Sequence, residues 1–201
     1  GVSARKGLGV QLPSRTPKSS FPEYDARVGE MTNDLIRVIT DFPKPGIIFK
    51  DITPLLADAK AFKDCCEKIA EFAKDVDYIA GVEARGFILA SAVALLSGKG
   101  FIPIRKSGKL PGQLISQSYE LEYGQATLEI HSDLVPAGKN VLIVDDVLAT
   151  GGTALATVEL IEKASLIPSS LVFLLEISAL GGRSRIQAAR PGLQIQTILA
   201  E

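Results

Sequence analysis

The sequence predicts an α/β fold, a central and mostly parallel sheet flanked by helices on both faces. Short apolar runs such as Tyr78 to Val82, Phe101 to Ile104, Asn140 to Val144 and Ser170 to Ile177 alternate with segments of helical period. The intervening helical segments are about ten or more residues long, enough for right-handed crossovers between parallel strands. With 46% hydrophobic residues, 201 residues can build one sizeable core and are too few for a second full domain.

Charge and cysteine usage exclude several classes. Twenty-two basic residues against 23 acidic leave a formal charge of -1, so no overall positive field attracts nucleic acid or an anionic membrane. Any anion must be held by a local site. The longest apolar runs, Val141 to Val144 and Leu171 to Leu175, fall far short of the roughly 20 residues that cross a bilayer. No membrane partner is expected, and the chain reads as soluble. Cys65 and Cys66 are neighbours, unable to staple distant segments and without the spaced partners of a zinc site. They point to a reducing compartment and a cytoplasmic location.

Residues 1 to 20 contain Arg5, Lys6, Arg15 and Lys18, no acid and no apolar periodicity. This composition fits an organelle leader or a plain extension equally well, and no secretory signal. Met31 precedes the helix-starting group Thr32-Asn33-Asp34, where translation could begin. Residues 1–31 are therefore expected to be an extension and 32–201 a single domain.

Within that domain Thr32 to Thr40, with Leu35, Ile36, Val38 and Ile39, predicts a short helix. Two prolines and a glycine then make Asp41 to Gly46 an ordered loop. Phe62, Cys65, Cys66, Ile69 and Phe72 give a helix over roughly 58–74, with both cysteines in the core. Tyr78 to Val82, Gly86 to Leu96 and Phe101 to Ile104 form a βαβ unit. The polar stretch Arg105 to Gln117 interrupts the rhythm, and Ser118 to Tyr123 and Gln125 to His131, split by Gly124, form a hairpin. A strand from Asn140, a helix over Thr153 to Lys163, the run Ser170 to Ile177 and a last short helix and strand complete the fold. Ligands of such sheets bind beyond the carboxyl ends of the strands, which points to loops 83–86, 105–117 and 145–153.

The most informative stretch runs from Val141 to Thr153. An apolar strand delivers Asp145 and Asp146, and Thr150-Gly151-Gly152-Thr153 then opens a helix. Backbone N–H groups at a helix amino terminus cradle phosphate, glycines permit close approach, and the threonine hydroxyls can donate to phosphate oxygens. Paired carboxylates suit sugar hydroxyls and a divalent cation. Neither a Walker loop nor a dinucleotide fingerprint is present.

At these residues the sequence resembles the type I phosphoribosyltransferases. The resemblance implies that Asp145 and Asp146 contact the ribose hydroxyls of phosphoribosyl pyrophosphate (PRPP) and that Ala149 to Thr153 hold its 5′-phosphate. It also implies Mg2+, with pyrophosphate supplying most of the ligands and no direct protein ligand assigned. Three further segments resemble the adenine-specific branch of the family: Asp41 to Ile52 its base-recognising segment, Arg105 to Gly112 its mobile basic loop, and Ser118 to Gly124 its acidic hairpin. The fold implied adds a small hood over residues 32–53, and the hairpin with its flexible loop.

This match places adenine against Ile48 and Val147, with the backbone of Lys50 reading the purine edge. Lys50 stands where many relatives have arginine. The match assigns Glu122 to the N7 atom of the base; Glu120 and Glu129 read as ordinary charged strand positions. Arg85, presented after a strand, can bind pyrophosphate oxygens. Relatives carry a cis peptide in this loop, expected here between Glu83 and Ala84. Arg105, Lys106 and Lys109 would neutralise the leaving pyrophosphate, with Lys109 and Arg85 contributing to catalysis, and Tyr119 or Tyr123 would pack over the site. His131 has no partners that suggest a triad or a metal. The resemblance implies an enzyme making AMP from adenine and PRPP, and a homodimer. A transferase for 6-oxopurines and a non-catalytic PRPP-binding regulator are the alternatives.

Overall fold

The computed structural model describes residues 34–121 and 124–199. Seven strands form the main sheet in the order β5-β6-β4-β3-β7-β8-β9, and β1 and β2 form a separate two-stranded sheet. The strands are β1 (Arg37–Thr40), β2 (Ile48–Asp51), β3 (Tyr78–Val82), β4 (Gly100–Lys106), β5 (Leu114–Leu121), β6 (Gly124–His131), β7 (Asn140–Leu148), β8 (Ile167–Glu176) and β9 (Gln194–Leu199). The helices are α1 (Thr53–Ala57), α2 (Ala59–Ala70), α3 (Arg85–Ser97), α4 (Gly152–Lys163) and α5 (Gly182–Ala189). Strands β4, β3, β7, β8 and β9 pair in parallel, while the β5–β6 hairpin adds antiparallel to β4.

Alternate side chains of the central strands enter two cores. Leu142 and Val144 of β7 pack with Leu89, Val93 and both cysteines, whereas Val141 and Ile143 face Val158, Leu160 and Ile161 of α4. A strand covered on both faces has no polar side to show, which explains its continuous apolar run. Helices α1 to α3 therefore cover one face, and α4 and α5 the other, as the sequence predicts. Cys65 and Cys66 are buried, as expected of core residues.

Several boundaries differ from expectation. The helix expected over Thr32 to Thr40 is absent from its described part: residues 34–36 turn, and Arg37–Thr40 is strand β1, paired antiparallel with Ile48–Asp51. The β-branched run Val38-Ile39-Thr40 fits a strand, and nine residues are too few for apolar spacing to separate the two periods. The helix over 58–74 is divided: α1 lies ahead of it, Asp58 caps α2 by accepting from Ala61 N at 2.8 Å, and Glu71–Ala73 tightens into a 3₁₀ turn. The polar interruption shrinks to residues 107–113, because β4 continues through Lys106 and β5 begins at Leu114. Strand β7 runs four residues past Val144 and carries the acid pair itself.

Candidate active site

The carboxyl ends of parallel strands β3, β4 and β7 lie along one edge of the sheet, and a cleft of about 680 Å³ opens there. Its walls include Ile48 and Lys50 from β2, Arg85, Lys106, Val147, the acid pair and Ala149–Thr153. Sequence reasoning singled out all of these. Lys109 does not line the cleft and lies exposed on the 107–113 loop. Glu122 and Tyr123 lie outside the described residues.

The Ala149–Thr153 loop is shaped by glycines that meet another backbone. Gly151 precedes α4 with φ +79°, and a Cβ on it would stand 2.9 Å from the Gly182 carbonyl oxygen. A Cβ on Gly182 would in turn stand 2.9 Å from Gly151 N and closer still to Ala149 O. The loop thus rests on the first turn of α5. Its open side receives Tyr119, whose hydroxyl lies 3.2 Å from Thr153 Oγ1, and Arg185 Nη1 donates to Thr150 O at 3.3 Å.

The acid pair is the electrostatic centre. Asp146 is 5% exposed, Asp145 is half-buried, and Asp146 N donates to Asp145 Oδ1 at 2.9 Å. Burial, and then the Asp146 charge, push the Asp145 carboxyl well above its ordinary range. Burial also raises Asp146, but the Arg85 guanidinium opposes the shift, with Nε 2.8 Å from Oδ2. Gly86 lets α3 approach: a Cβ there would stand 2.7 Å from Asp145 Oδ1.

Arg85 joins two parts of the cleft, the acid pair and β2. Besides Asp146 it donates from Nη1 to Lys50 O at 3.1 Å and lies 4.8 Å over the Phe49 ring. The same Lys50 backbone expected to read a purine edge is thus tied to the acid pair. The peptide between Glu83 and Ala84, just before Arg85, is cis, as expected.

Arg105 belongs to β4 rather than to the basic loop. It donates to both carboxylate oxygens of Glu83, at 3.1 and 3.3 Å, and holds that carboxyl below its ordinary range. Glu129 is not the ordinary strand charge expected. It is 7% exposed and accepts from Ser107 Oγ and Gly108 N, at 2.5 and 3.0 Å. Both contacts span more than twenty residues, so no local spacing could have announced them.

A divalent cation fits this site only in part. Among the described residues no group of three metal-ligating side chains is present. Asp146 Oδ2 is buried and makes no hydrogen bond of good geometry, beside a second carboxyl. That donor set suits Mg2+, which keeps several waters and combines one or two carboxylates with substrate phosphates.

Comparison with known proteins bears on the family and the fold. The family model described as phosphoribosyl transferase domain matches residues 54–167. Adenine phosphoribosyltransferase of Halothermothrix orenii is 54% identical over 168 residues, covering 83% of this chain and 96% of the relative. That of Streptomyces coelicolor is 49% identical over 174 residues, 86% and 96% of the two chains. The crystal structure of the Thermoanaerobacter pseudethanolicus enzyme superposes with TM-score 0.80 at 46% identity, covering 86% of this chain and 99% of that one. The Saccharomyces cerevisiae enzyme, solved with an imino-altritol bisphosphate and adenine, gives 0.79 at 36% identity, covering 87% and 100%.

Proposed function

The chain belongs to the adenine phosphoribosyltransferase family, and from that premise we propose that the cleft at the strand ends binds PRPP and adenine together. The protein is a pentosyltransferase of purine salvage, EC 2.4.2.7, on the type I phosphoribosyltransferase fold. It transfers the 5-phosphoribosyl group of PRPP to adenine, giving AMP and pyrophosphate. One observation carries the reading: the acid pair, the glycine loop and the Ile48–Lys50 segment line one cleft, and Arg85 joins the acid pair to that segment.

Each part then has a task. Backbone N–H groups of Ala149–Thr153 and the positive end of α4 hold the 5′-phosphate, with the Thr150 and Thr153 hydroxyls as further donors. Asp145 and Asp146 accept from the ribose hydroxyls. Arg85 and Lys106 face the pyrophosphate, and Lys109 reaches it from its loop. A Mg2+ ion would be held mainly by the pyrophosphate oxygens, with the carboxylates of Asp145 and Asp146 close by, and would supply neutralisation of leaving-group charge. Adenine lies between Ile48 and Val147 with the Lys50 backbone at its edge, so Arg85 exchanges the Lys50 carbonyl for pyrophosphate oxygens as substrates enter.

In the reaction N9 attacks C1′, the bond from C1′ to the pyrophosphate oxygen breaks with inversion, and Glu122 exchanges a proton at N7. Fixed orientation and preorganised charge carry the rate. The catalytic unit comprises residues 32–201, with 1–31 an extension, and it works as a cytoplasmic homodimer. The outer side of α3 supports the dimer: Ile88, Leu95 and Leu96 are 41%, 84% and 49% exposed, apolar area that a second copy would cover. Among the described residues no helix is long and apolar enough to cross a membrane.

The test mixes the chain with PRPP, Mg2+ and adenine, hypoxanthine, guanine or xanthine, and follows nucleotide formation beside Glu122→Ala. Selective AMP formation, lost in the variant, is expected. Nucleotides from 6-oxopurines, or PRPP binding without product, would overturn the assignment.

A further inference from the structure

We propose that Glu129 is a positioning residue that latches the stem of the 107–113 loop and so sets where Lys109 can reach. The proposal rests on the catalytic reading of that loop. Strand pairing between β4 and β6 stops at Arg105–Glu129 and Lys106–Leu128, and beyond it only Ser107 N, donating to Thr127 O at 3.0 Å, continues the ladder. At that point Glu129 takes over: Oε1 accepts from Ser107 Oγ and Oε2 from Gly108 N.

A carboxylate 7% exposed is costly to keep unless its oxygens are satisfied. Among the described residues Glu129 forms no ion pair, and both its hydrogen bonds go to the first two residues of the loop. The grip has a second side. Glu83 Oε2 accepts from Lys106 N at 2.9 Å while the same carboxylate holds Arg105. Two carboxylates from different segments thus clamp residues 105–108. Gly108, with φ +78°, is the last clamped residue, and Lys109 follows it directly, its carbonyl accepting from Arg105 Nη1 at 3.3 Å. The stem is therefore fixed as far as the Lys109 backbone, and the Lys109 side chain reaches out from a set point rather than from a loop held only at Arg105.

The test uses the full chain with Glu129→Gln, Ser107→Ala and Ser107→Thr. Glutamine keeps one acceptor but can turn an amide N–H against Gly108 N; alanine removes the hydroxyl; threonine keeps it. Two readouts are taken, trypsin cleavage after Lys109 without substrates, and steady-state kinetics with adenine and PRPP. Glu129→Gln and Ser107→Ala should each raise cleavage and lower kcat by about tenfold, as loss of a charge-assisted hydrogen bond implies. The KM values should stay within about twofold, the double variant should be no worse than the singles, and Ser107→Thr should behave as wild type.

Unchanged cleavage, or additive losses in the double variant, would overturn the latch. Should Glu129→Gln fail to fold, Ser107→Ala and Ser107→Thr decide alone. A wild-type chain that makes no AMP yet shows the cleavage differences would support the latch and refute the catalytic reading.

Discussion

Replacing Gly182 by alanine tests whether α5 supports the phosphate cradle. The added Cβ would meet Gly151 N at 2.9 Å, Leu148 Cδ1 at 3.0 Å and Ala149 O closer still. Two of these atoms are backbone of the loop that would hold the 5′-phosphate, so relief requires moving either the loop or the helix. Overpacking of this kind costs about 1–3 kcal/mol. The better helix propensity of alanine recovers less than about 1 kcal/mol, because Gly182 is the first residue of its helix. A net loss of about 2 kcal/mol corresponds to a fall in Tm of about 4–8 °C for a chain of this size. The displaced loop should also raise the KM for PRPP about tenfold, with the KM for adenine nearly unchanged. Differential scanning calorimetry and initial-rate kinetics measure both. A variant with wild-type Tm and wild-type KM for PRPP would refute the close packing of α5 on the cradle.

Asp145→Asn probes the buried acid pair. The unfolded chain ionises Asp145 near pH ~3.9, whereas the folded chain holds that proton to higher pH. The stability this group contributes is therefore full below about pH 4 and declines as pH rises toward the folded value. Asparagine removes the decline, so Tm of the variant relative to wild type should rise between pH 4 and 8 while PRPP affinity falls; an equal difference at both pH values would contradict the assignment. Burial pushes both cysteine thiols up to about 12. A thiol reagent at pH 8 should label neither in the native chain and both after denaturation; rapid native labelling would show that they are not core residues. Arg183 holds Glu176 at 2.6 and 2.9 Å, Ile195 O at 2.8 Å and Thr197 Oγ1 at 2.7 Å. Arg183→Ala should cost about 1–3 kcal/mol, read as a lower urea midpoint with unchanged slope, and an unchanged midpoint would show that α5 is anchored otherwise.

What could be read in advance was chemistry written in contiguous residues. Tyr78–Val82 is apolar and bounded by charge, and its strand has those limits; the step from apolar strand to acid pair to Thr-Gly-Gly-Thr pointed to residues that line the cleft. The parts that escaped depend on partners far along the chain. Arg37–Thr40 becomes a strand because Ile48–Asp51 returns beside it, which nine residues of apolar spacing cannot reveal. Glu129 resembles any exposed glutamate until Ser107 and Gly108 are brought against it. The tie from Arg85 to Lys50 O likewise exists only once the small sheet lies beside the main one, and that from Arg85 to Asp146 only once β3 and β7 are paired. Gly182, in a stretch with no motif, shows its purpose only when Ala149 is seen beneath it.

The small sheet of β1 and β2 shares no strand pairing with the seven-stranded one, yet its Phe49 and Lys50 meet the acid pair's own arginine. On the proposed reading, recognition of the base and activation of the sugar are housed in separate pieces of backbone. On that reading residues 37–51 could drift in sequence, and with them the choice of base, while the Ala149–Thr153 loop and the acid pair stay untouched in the larger body. What such drift must preserve is the handshake at Arg85. That single contact sets the boundary within which this architecture can be retuned.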